Sequence, residues 1–280
     1  MISLRRLLWA LRKARLPVSG DGLVLDVGAG GCPYPRSDVL LERYAAGAHR
    51  CGAGVVADRP LVFADALRMP FRDKVFDFVV ASHVLEHIPE AEVFLRELMR
   101  VGKAGYIETP NIVFDRLDPY PTHCLEIMER GGVLFIRKKS GPVPDEFIRD
   151  LRLLATEGAW KRFFRGSPGM FHVRYFWKDT IRFEIVNPDE PCDWMESVDD
   201  GEAGEITETY SGRGWRGWGL RNLRRYYRWR REGRVDWRSI LCCPDCRNGL
   251  VRRGELFACA FCQKGYTAVP IPNFNSPVDL

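Results

Sequence analysis

Three groups of residues in the 280-residue sequence have types and spacings that could do chemistry. Near the C-terminus, LCCPDCRNGLVRRGELFACAFCQKGY sets Cys243 and Cys246 in one Cys-x-x-Cys knuckle and Cys259 and Cys262 in another, with twelve residues between the two. Two knuckles joined by a short hairpin converge four thiolates on one tetrahedral zinc, and a sphere filled by four thiolates makes the metal structural, not catalytic. Cys242 leaves the register open, since it could replace Cys243, and a redox pair or an empty site is the alternative to zinc. Near the N-terminus, VLDVGAGGCPYP (24–35) runs from apolar residues through an acid into a Gly-x-Gly turn, where glycine lets a ligand approach the backbone closely. A phosphate site would want Gly-x-x-x-x-Gly-Lys-Ser/Thr or a third spaced glycine opening a helix. Here Gly28, Gly30 and Gly31 lead into Cys32, Pro33, Tyr34 and Pro35, so a nucleotide-like ligand is expected without a phosphate clamp. Third, His83 and His87 lie four apart beside Glu86, a metal-pair spacing if the segment is helical.

The elements that must position these residues are legible in outline. Apolar runs predict strands at 23–27, 38–42, 61–64, 76–81 and 103–108, and Pro89 to Arg100 has helical periodicity. Strands alternating with a helical pattern predict an α/β fold, a doubly wound parallel sheet. Only about ten residues, two of them proline, separate Gly28 from the second strand, so the first crossover helix is shortened or lost. Beyond Asn111 the pattern changes. CLEIMERGGVLFIRKK reads as a hairpin about Gly131 and Gly132, DEFIRDLRLLATEGAWKRFF as an amphipathic helix and FHVRYFWKDTIRFEIV as a second hairpin, while SGRGWRGWGL is the candidate linker.

The first 115 residues resemble class I S-adenosylmethionine-dependent methyltransferases of the type-11 set. Four pieces carry the likeness in order: VLDVGAG (24–30), the acid in DVLLERY (38–44), FADALRMPF (63–71), and FDFVVASHVLEHI (76–88) with the helix and GYIETPN strand that follow. The resemblance implies a Rossmann-like methyltransferase sheet with S-adenosylmethionine at its carboxyl edge. Asp26 would meet the ammonium end of the methionine moiety, with Gly28 and Gly30 leaving room for it. Glu42 would accept from the ribose hydroxyls, with Asp58 as the alternative if the second strand is misplaced. Asp65 would accept from the adenine amino group and Ala66 would offer a backbone amide. Ser82 and His83 would stand where cofactor and acceptor meet, His83 as a general base if the acceptor is a hydroxyl. A sulfonium cofactor needs no phosphate site, which accounts for the unusual glycine turn. The fourth strand is followed by neither Asn/Asp-Pro-Pro-Tyr/Phe nor a Pro-Cys nucleophile, which disfavours adenine or glutamine amines and pyrimidine carbon as acceptors.

The tail resembles the small zinc-ribbon proteins that partner methyltransferases acting on transfer RNA, ribosomal RNA and release factors, implying a structural zinc and a contact between ribbon and methyltransferase domain within the chain. The domains expected are 1–186, a methyltransferase domain with an insertion at about 112–170; 187–238, a connecting segment; and 239–280, a zinc ribbon. The connecting segment is sharply polarised: 187–209 carries nine acidic and no basic side chains, and 212–238 carries ten arginines against Glu232 and Asp236. Six Trp and Tyr side chains interleave with those arginines, so residues 213–238 suit RNA, an anionic membrane surface, or the acidic strip just upstream. The segment MISLRRLLWALRKARLP places leucines at helical spacing opposite a basic face, a helix packed on the sheet or on a membrane surface. No transmembrane span, no secretory pattern and an odd count of nine cysteines predict a cytoplasmic protein. A methyltransferase acting on an unidentified oxygen or nitrogen acceptor is the leading expectation. The alternative is a non-catalytic RNA- or protein-binding scaffold with a degenerate cofactor fold, and the missing third glycine disfavours a nicotinamide oxidoreductase.

Overall fold

The structure, a computed structural model, describes residues 15–45, 54–120, 122–141, 150, 158–192, 206–207, 214–231 and 233–280. Its first half runs β1 (Val24–Val27), β2 (Val39–Glu42), β3 (Val55–Val56), β4 (Leu61–Phe63), β5 (Phe78–Ser82), α1 (Ala91–Val101), β6 (Ala104–Pro110) and α2 (Ile112–Leu117). The second half runs β7 (Leu125–Arg130), β8 (Val133–Lys138), α3 (Gly158–Gly166), β9 (His172–Lys178), β10 (Phe183–Ile185), β11 (Ile206–Thr207), α4 (Gly214–Arg231), α5 (Trp237–Ile240), β12 (Val251–Arg253), β13 (Leu256–Cys259), β14 (Lys264–Thr267) and β15 (Asn273–Asp279). The main sheet has the order β12-β13-β14-β15-β4-β2-β1-β5-β6-β9. β4, β2, β1, β5 and β6 are parallel, at or within two residues of the five expected strands, and β9 closes that side antiparallel to β6.

The central strands are apolar because both faces are covered. β1, VLDV, is buried at every position. Leu25 and Val27 share one core with Phe94, Leu95, Leu98 and Val101 of α1, whose spacing puts them on one stripe of that helix. Val24 and Val80 face the other way, into a second core with Leu16, Tyr34, Phe78 and Tyr106. The crossover from β1 to β2 contains no helix, as its length and prolines require. Tyr34 fills part of that face instead, its ring edge-on to Tyr106 with centroids 6.2 Å apart.

Two expectations are corrected. The expected second hairpin does not form: β9 joins the main sheet, while β10 pairs in parallel with β8 in a separate three-stranded sheet with β7. The chain turns at Asp179, φ 62°, and the Tyr175 hydroxyl holds the divergence by accepting from Arg182 N–H (3.0 Å) and donating to the Gly132 carbonyl (3.1 Å). The candidate linker is largely helical, because α4 begins at Gly214. The ion pairs of Arg224 with Asp58 and of Arg231 with Asp38 hold the helix on the main domain despite the helix cost of Gly217 and Gly219. The expected helix at 145–164 is described from Gly158 onward, and the N-terminal helix and most of the acidic strip lie outside the described residues.

α4 docks at the amino ends of the parallel strands. Arg224 pairs with Asp58 (2.8 Å), just before β4, and Arg231 pairs with Asp38 at the head of β2 while its Nη2 donates to the Gly22 carbonyl (2.7 Å) before β1. Beyond the helix Arg234 meets Asp21 (2.8 Å). At the other edge the C-terminal meander joins the sheet through β15, where Asn273 pairs with Phe63 and Phe63 N–H donates to the Pro272 carbonyl (2.8 Å). Among the described residues no helix is long and apolar enough to cross a membrane.

Candidate functional site

Strand order reverses between β1 and β5, and the residues just past the carboxyl ends of β1, β2, β4 and β5 line one edge, the place where open α/β sheets bind ligands. Gly28, φ 65°, and Gly30, φ 53°, turn the chain away from β1 in the left-handed region. A Cβ at Gly28 would lie 2.4 Å from Val84 Cγ2, so position 28 has neither the space nor the backbone for a side chain. Gly30 N–H donates to Glu42 Oε1, tying the turn to the end of β2. Asp26 is 2% exposed, and its Oδ2 accepts from Tyr34 N–H (2.7 Å) and Ser37 Oγ (3.2 Å). Asp65 Oδ1 accepts from Leu67 N–H (2.9 Å), its other oxygen is 3.6 Å from Arg43, and Ala66 is buried beside it. Arg43, Tyr44 and Asp65 line one wall of a cleft of about 750 Å³ whose other wall is Tyr266 and Asn275 of the C-terminal meander. Asp58 is bonded to Arg59 and Arg224 at the opposite edge of the sheet.

Ser82 ends β5 and His83 follows it, against a buried carboxylate pair. His83 has φ 59°, an unfavourable backbone for a side-chain-bearing residue, held by its own N–H donating to the Glu108 carbonyl at 2.7 Å. Its side chain is 43% exposed, with Nδ1 3.2 Å from Glu86 Oε1 and Nε2 3.7 Å from Glu108 Oε1. Burial opposes the charged imidazole, but hydrogen bonds and charge from Glu108 and Glu86 prevail and raise its pKa to about 9. Glu86 is pushed down to about 2, the contact with His83 outweighing the cost of burial. His83 is therefore a cation at neutral pH, and proton removal by it there requires that the carboxylate pair first be relieved. Ser82 Oγ donates to Glu108 Oε1 (3.5 Å), Tyr106 OH to Glu108 Oε2 (2.5 Å), and Arg174 Nε to the Tyr106 oxygen (3.1 Å).

Sequence reasoning missed Glu108 and Tyr106. Their signal was a glutamate inside the apolar GYIETPN run, since a carboxylate in a strand covered on both faces must have partners. His87 faces away from His83 and adjoins His123, with centroids 4.8 Å apart.

The sulfurs of Cys243, Cys246, Cys259 and Cys262 all lie within 4.8 Å of one another, with Cys243 to Cys262 at 4.0 Å and Cys246 to Cys259 at 3.5 Å. Cys243, not Cys242, belongs to the cluster; Cys242 instead pairs with Gly249 through its backbone. The knuckle is fastened to the main domain. Arg247, φ 63°, donates to the Met69 carbonyl (2.9 Å) and pairs with Glu97 of α1 (3.0 Å), and Cys242 N–H donates to the Pro70 carbonyl (3.0 Å).

With this geometry in place, comparison with known proteins is informative for the main domain. A family model described as a methyltransferase domain matches residues 40–107. The ubiquinone/menaquinone biosynthesis C-methyltransferase UbiE of Xylella fastidiosa is 31% identical over 132 residues, 45% of this chain and 48% of that one. The demethylmenaquinone methyltransferase of Corynebacterium urealyticum is 34% identical over 110 residues, 35% of this chain and 45% of that one. The chain thus spans about half the length of the curated relatives it matches. Among solved structures, a complex containing the Haloferax volcanii Trm112 methyltransferase activator aligns with 63% of this chain and 89% of that one, at 14% identity and a TM-score of 0.39.

Proposed function

We propose that the protein is an S-adenosylmethionine-dependent methyltransferase, moving a methyl group in line to an oxygen or nitrogen acceptor, with a structural zinc ribbon as its tail. The observation that carries this reading is the gathering of Asp26, Gly28, Gly30, Glu42, Asp65 and Ala66 along one sheet edge, inside and just ahead of the methyltransferase-domain match. The donor set fits a sulfonium cofactor: carboxylates and side-chain-free backbone line the edge, and no phosphate-binding pattern accompanies them. Once bound, S-adenosylmethionine supplies an electrophilic methyl group.

The chain's own residues bind and orient. Asp26 and the glycine turn hold the amino-acid end, Glu42 the ribose hydroxyls, and Asp65 with the Ala66 amide the adenine. Ser82 and the His83 cation stand on the acceptor side. There the charge of His83 suits it to hold an oxygen of the acceptor, and alignment for in-line attack supplies the rate. The family match ends at residue 107, ahead of the insertion expected at about 112–170. For the tail, a zinc–sulfur bond of about 2.3 Å implies sulfurs about 3.8 Å apart in a tetrahedron. The 3.5 and 4.0 Å separations bracket that value. The exposed face of α4, with Arg225, Arg228, Trp229 and Trp218, is assigned to a polyanionic partner such as RNA, its inner arginines being spent on Asp58 and Asp38.

The test is transfer of radiolabelled methyl from S-adenosylmethionine into a cell extract fractionated into RNA, protein, lipid with glycan, and small molecules. Label confined to one fraction and lost in Asp26→Asn supports an enzyme and names its acceptor class. Measurable cofactor binding with no label in any fraction favours the non-catalytic scaffold.

A further inference from the structure

Beside the proposed transfer site lies a second convergence of ligating groups, which shares with that site only Glu86, the partner of His83. Glu86 and His87 belong to the single 3-10 turn Leu85–His87 after β5, and His123 precedes β7. Cys124 N–H donates to the Glu86 carbonyl at 2.9 Å, pinning the start of β7 onto that turn. One ligand atom from each of Glu86, His87 and His123 falls within 4.8 Å of the other two.

The hydrogen bonds fix which atoms are available. His87 Nδ1 lies 2.9 Å from the Thr122 carbonyl oxygen, which can only accept, so Nδ1 carries the proton and Nε2 the lone pair. His123 Nδ1 lies 2.5 Å from Asp115 Oδ1, and Asp115 is itself paired with Lys139, which sets His123 in the same tautomer. Among the described residues neither Nε2 has a hydrogen-bond partner. Glu86 accepts from His83 Nδ1 through Oε1 and from Thr109 Oγ1 through Oε2 (2.9 Å), and each oxygen keeps a lone pair. An imidazole whose far nitrogen is tied to a carboxylate or a carbonyl is the usual state of a metal-bound histidine, because that bond fixes both ring orientation and tautomer. Packing accounts for the edge-to-face contact of the two rings and for the stacking of Tyr120 on His123 (5.2 Å). It does not account for a carboxylate oxygen and one nitrogen from each ring gathered within 4.8 Å of one another.

We propose that Glu86, His87 and His123 bind one divalent cation of the zinc class, held by two imidazoles and a carboxylate and independent of the cysteine site. Borderline ions such as Zn²⁺, Co²⁺, Ni²⁺ and Fe²⁺ suit this set, and Ca²⁺ and Mg²⁺, which demand oxygen ligands, do not. Three protein ligands leave a tetrahedral ion one open position. The ion would bind whether or not the protein transfers methyl groups.

The experiment takes full-length protein with its cysteine site saturated by zinc and titrates Co²⁺, reading metal per chain by dialysis and the visible spectrum. The expected result is one further metal per chain, with ligand-field bands and no new sulfur-to-cobalt charge-transfer band. His87→Ala and His123→Ala should each remove that equivalent and leave the zinc in place. Asp115→Asn, which removes no ligand atom but weakens the hydrogen bond that orients His123, should weaken Co²⁺ binding about 10- to 100-fold. Absence of a second equivalent in the wild type overturns the proposal, and this arm needs no variant to fold. Cobalt bound with a thiolate signature, or unaffected by both histidine substitutions in variants whose circular dichroism matches the wild type, overturns it as well.

Discussion

At the scale of single residues, the cofactor edge is strictest at position 28. Gly28→Ala must place a Cβ against Val84 on a backbone at φ 65°, so the turn has to move. The expected outcome is at least a 100-fold loss of S-adenosylmethionine affinity by isothermal titration, with the C-terminal meander still folded by circular dichroism. Asp26→Asn removes the charge proposed to meet the ammonium group but retains a side-chain oxygen for Tyr34 N–H, so affinity should fall about 10- to 100-fold, the worth of a charge-assisted hydrogen bond. Unchanged affinity in both variants would displace the site from this edge. Asp26, Glu42 and Asp65 were legible in the sequence because each ends an apolar run, and chain order alone then brings them to one edge of a parallel sheet. Glu108 and His123 were not legible as partners. Their neighbours come from β5, α2 and the loop ahead of β7, and only tertiary packing sets those distances.

At the scale of elements, α4 shows how composition misleads. Glycines and a dense positive charge read as a linker, yet its arginines are internal ligands for acids at the amino ends of β2 and β4. Arg224 and Asp58 are both nearly buried, but Arg59 still pairs with Asp58 when Arg224 is removed. Arg224→Met should therefore lower stability in urea unfolding by about 1.5–3 kcal/mol, the worth of a hydrogen bond to a charged group, and Asp58→Leu, which takes the carboxylate from both arginines, should cost more. The pH dependence has a definite sign. Arg59 and Arg224 hold the Asp58 carboxyl below its usual value of 3.8, against the cost of burial. The unfolded chain therefore takes up the proton first as pH falls, and the stabilisation present at neutral pH is lost below about pH 4. Asp58→Asn should show a shallower loss over that interval in acid titrations of stability. β9 and β10 teach the complementary lesson: alternation identified two strands correctly, but strand periodicity carries no information about which sheet each one joins.

At the scale of the whole molecule, the cysteine module and the main domain share one ten-stranded sheet. β15 covers the edge of β4, Arg247 reaches Glu97 on α1, and the wall of the cleft beside Asp65 belongs to the tail. Stripping metal with a chelator, or Cys259→Ser, should therefore do more than loosen the last 40 or so residues. The expected outcome is faster proteolysis near Pro70 and Phe71, and an S-adenosylmethionine affinity that falls along with the metal content. Retention of full affinity by metal-free protein would mean that the tail only adjoins the cleft. The knuckle spacing made the module legible, but its docking was not, because a single backbone pair joins it to the sheet. That pair also sets a schedule for biosynthesis. Phe63 leaves the ribosome some 210 residues before Asn273, and at about 5–20 residues per second the bare strand waits roughly 10 to 40 s for its neighbour. Throughout that interval the nascent chain carries an open sheet edge, closed only by a strand that follows some 210 residues later.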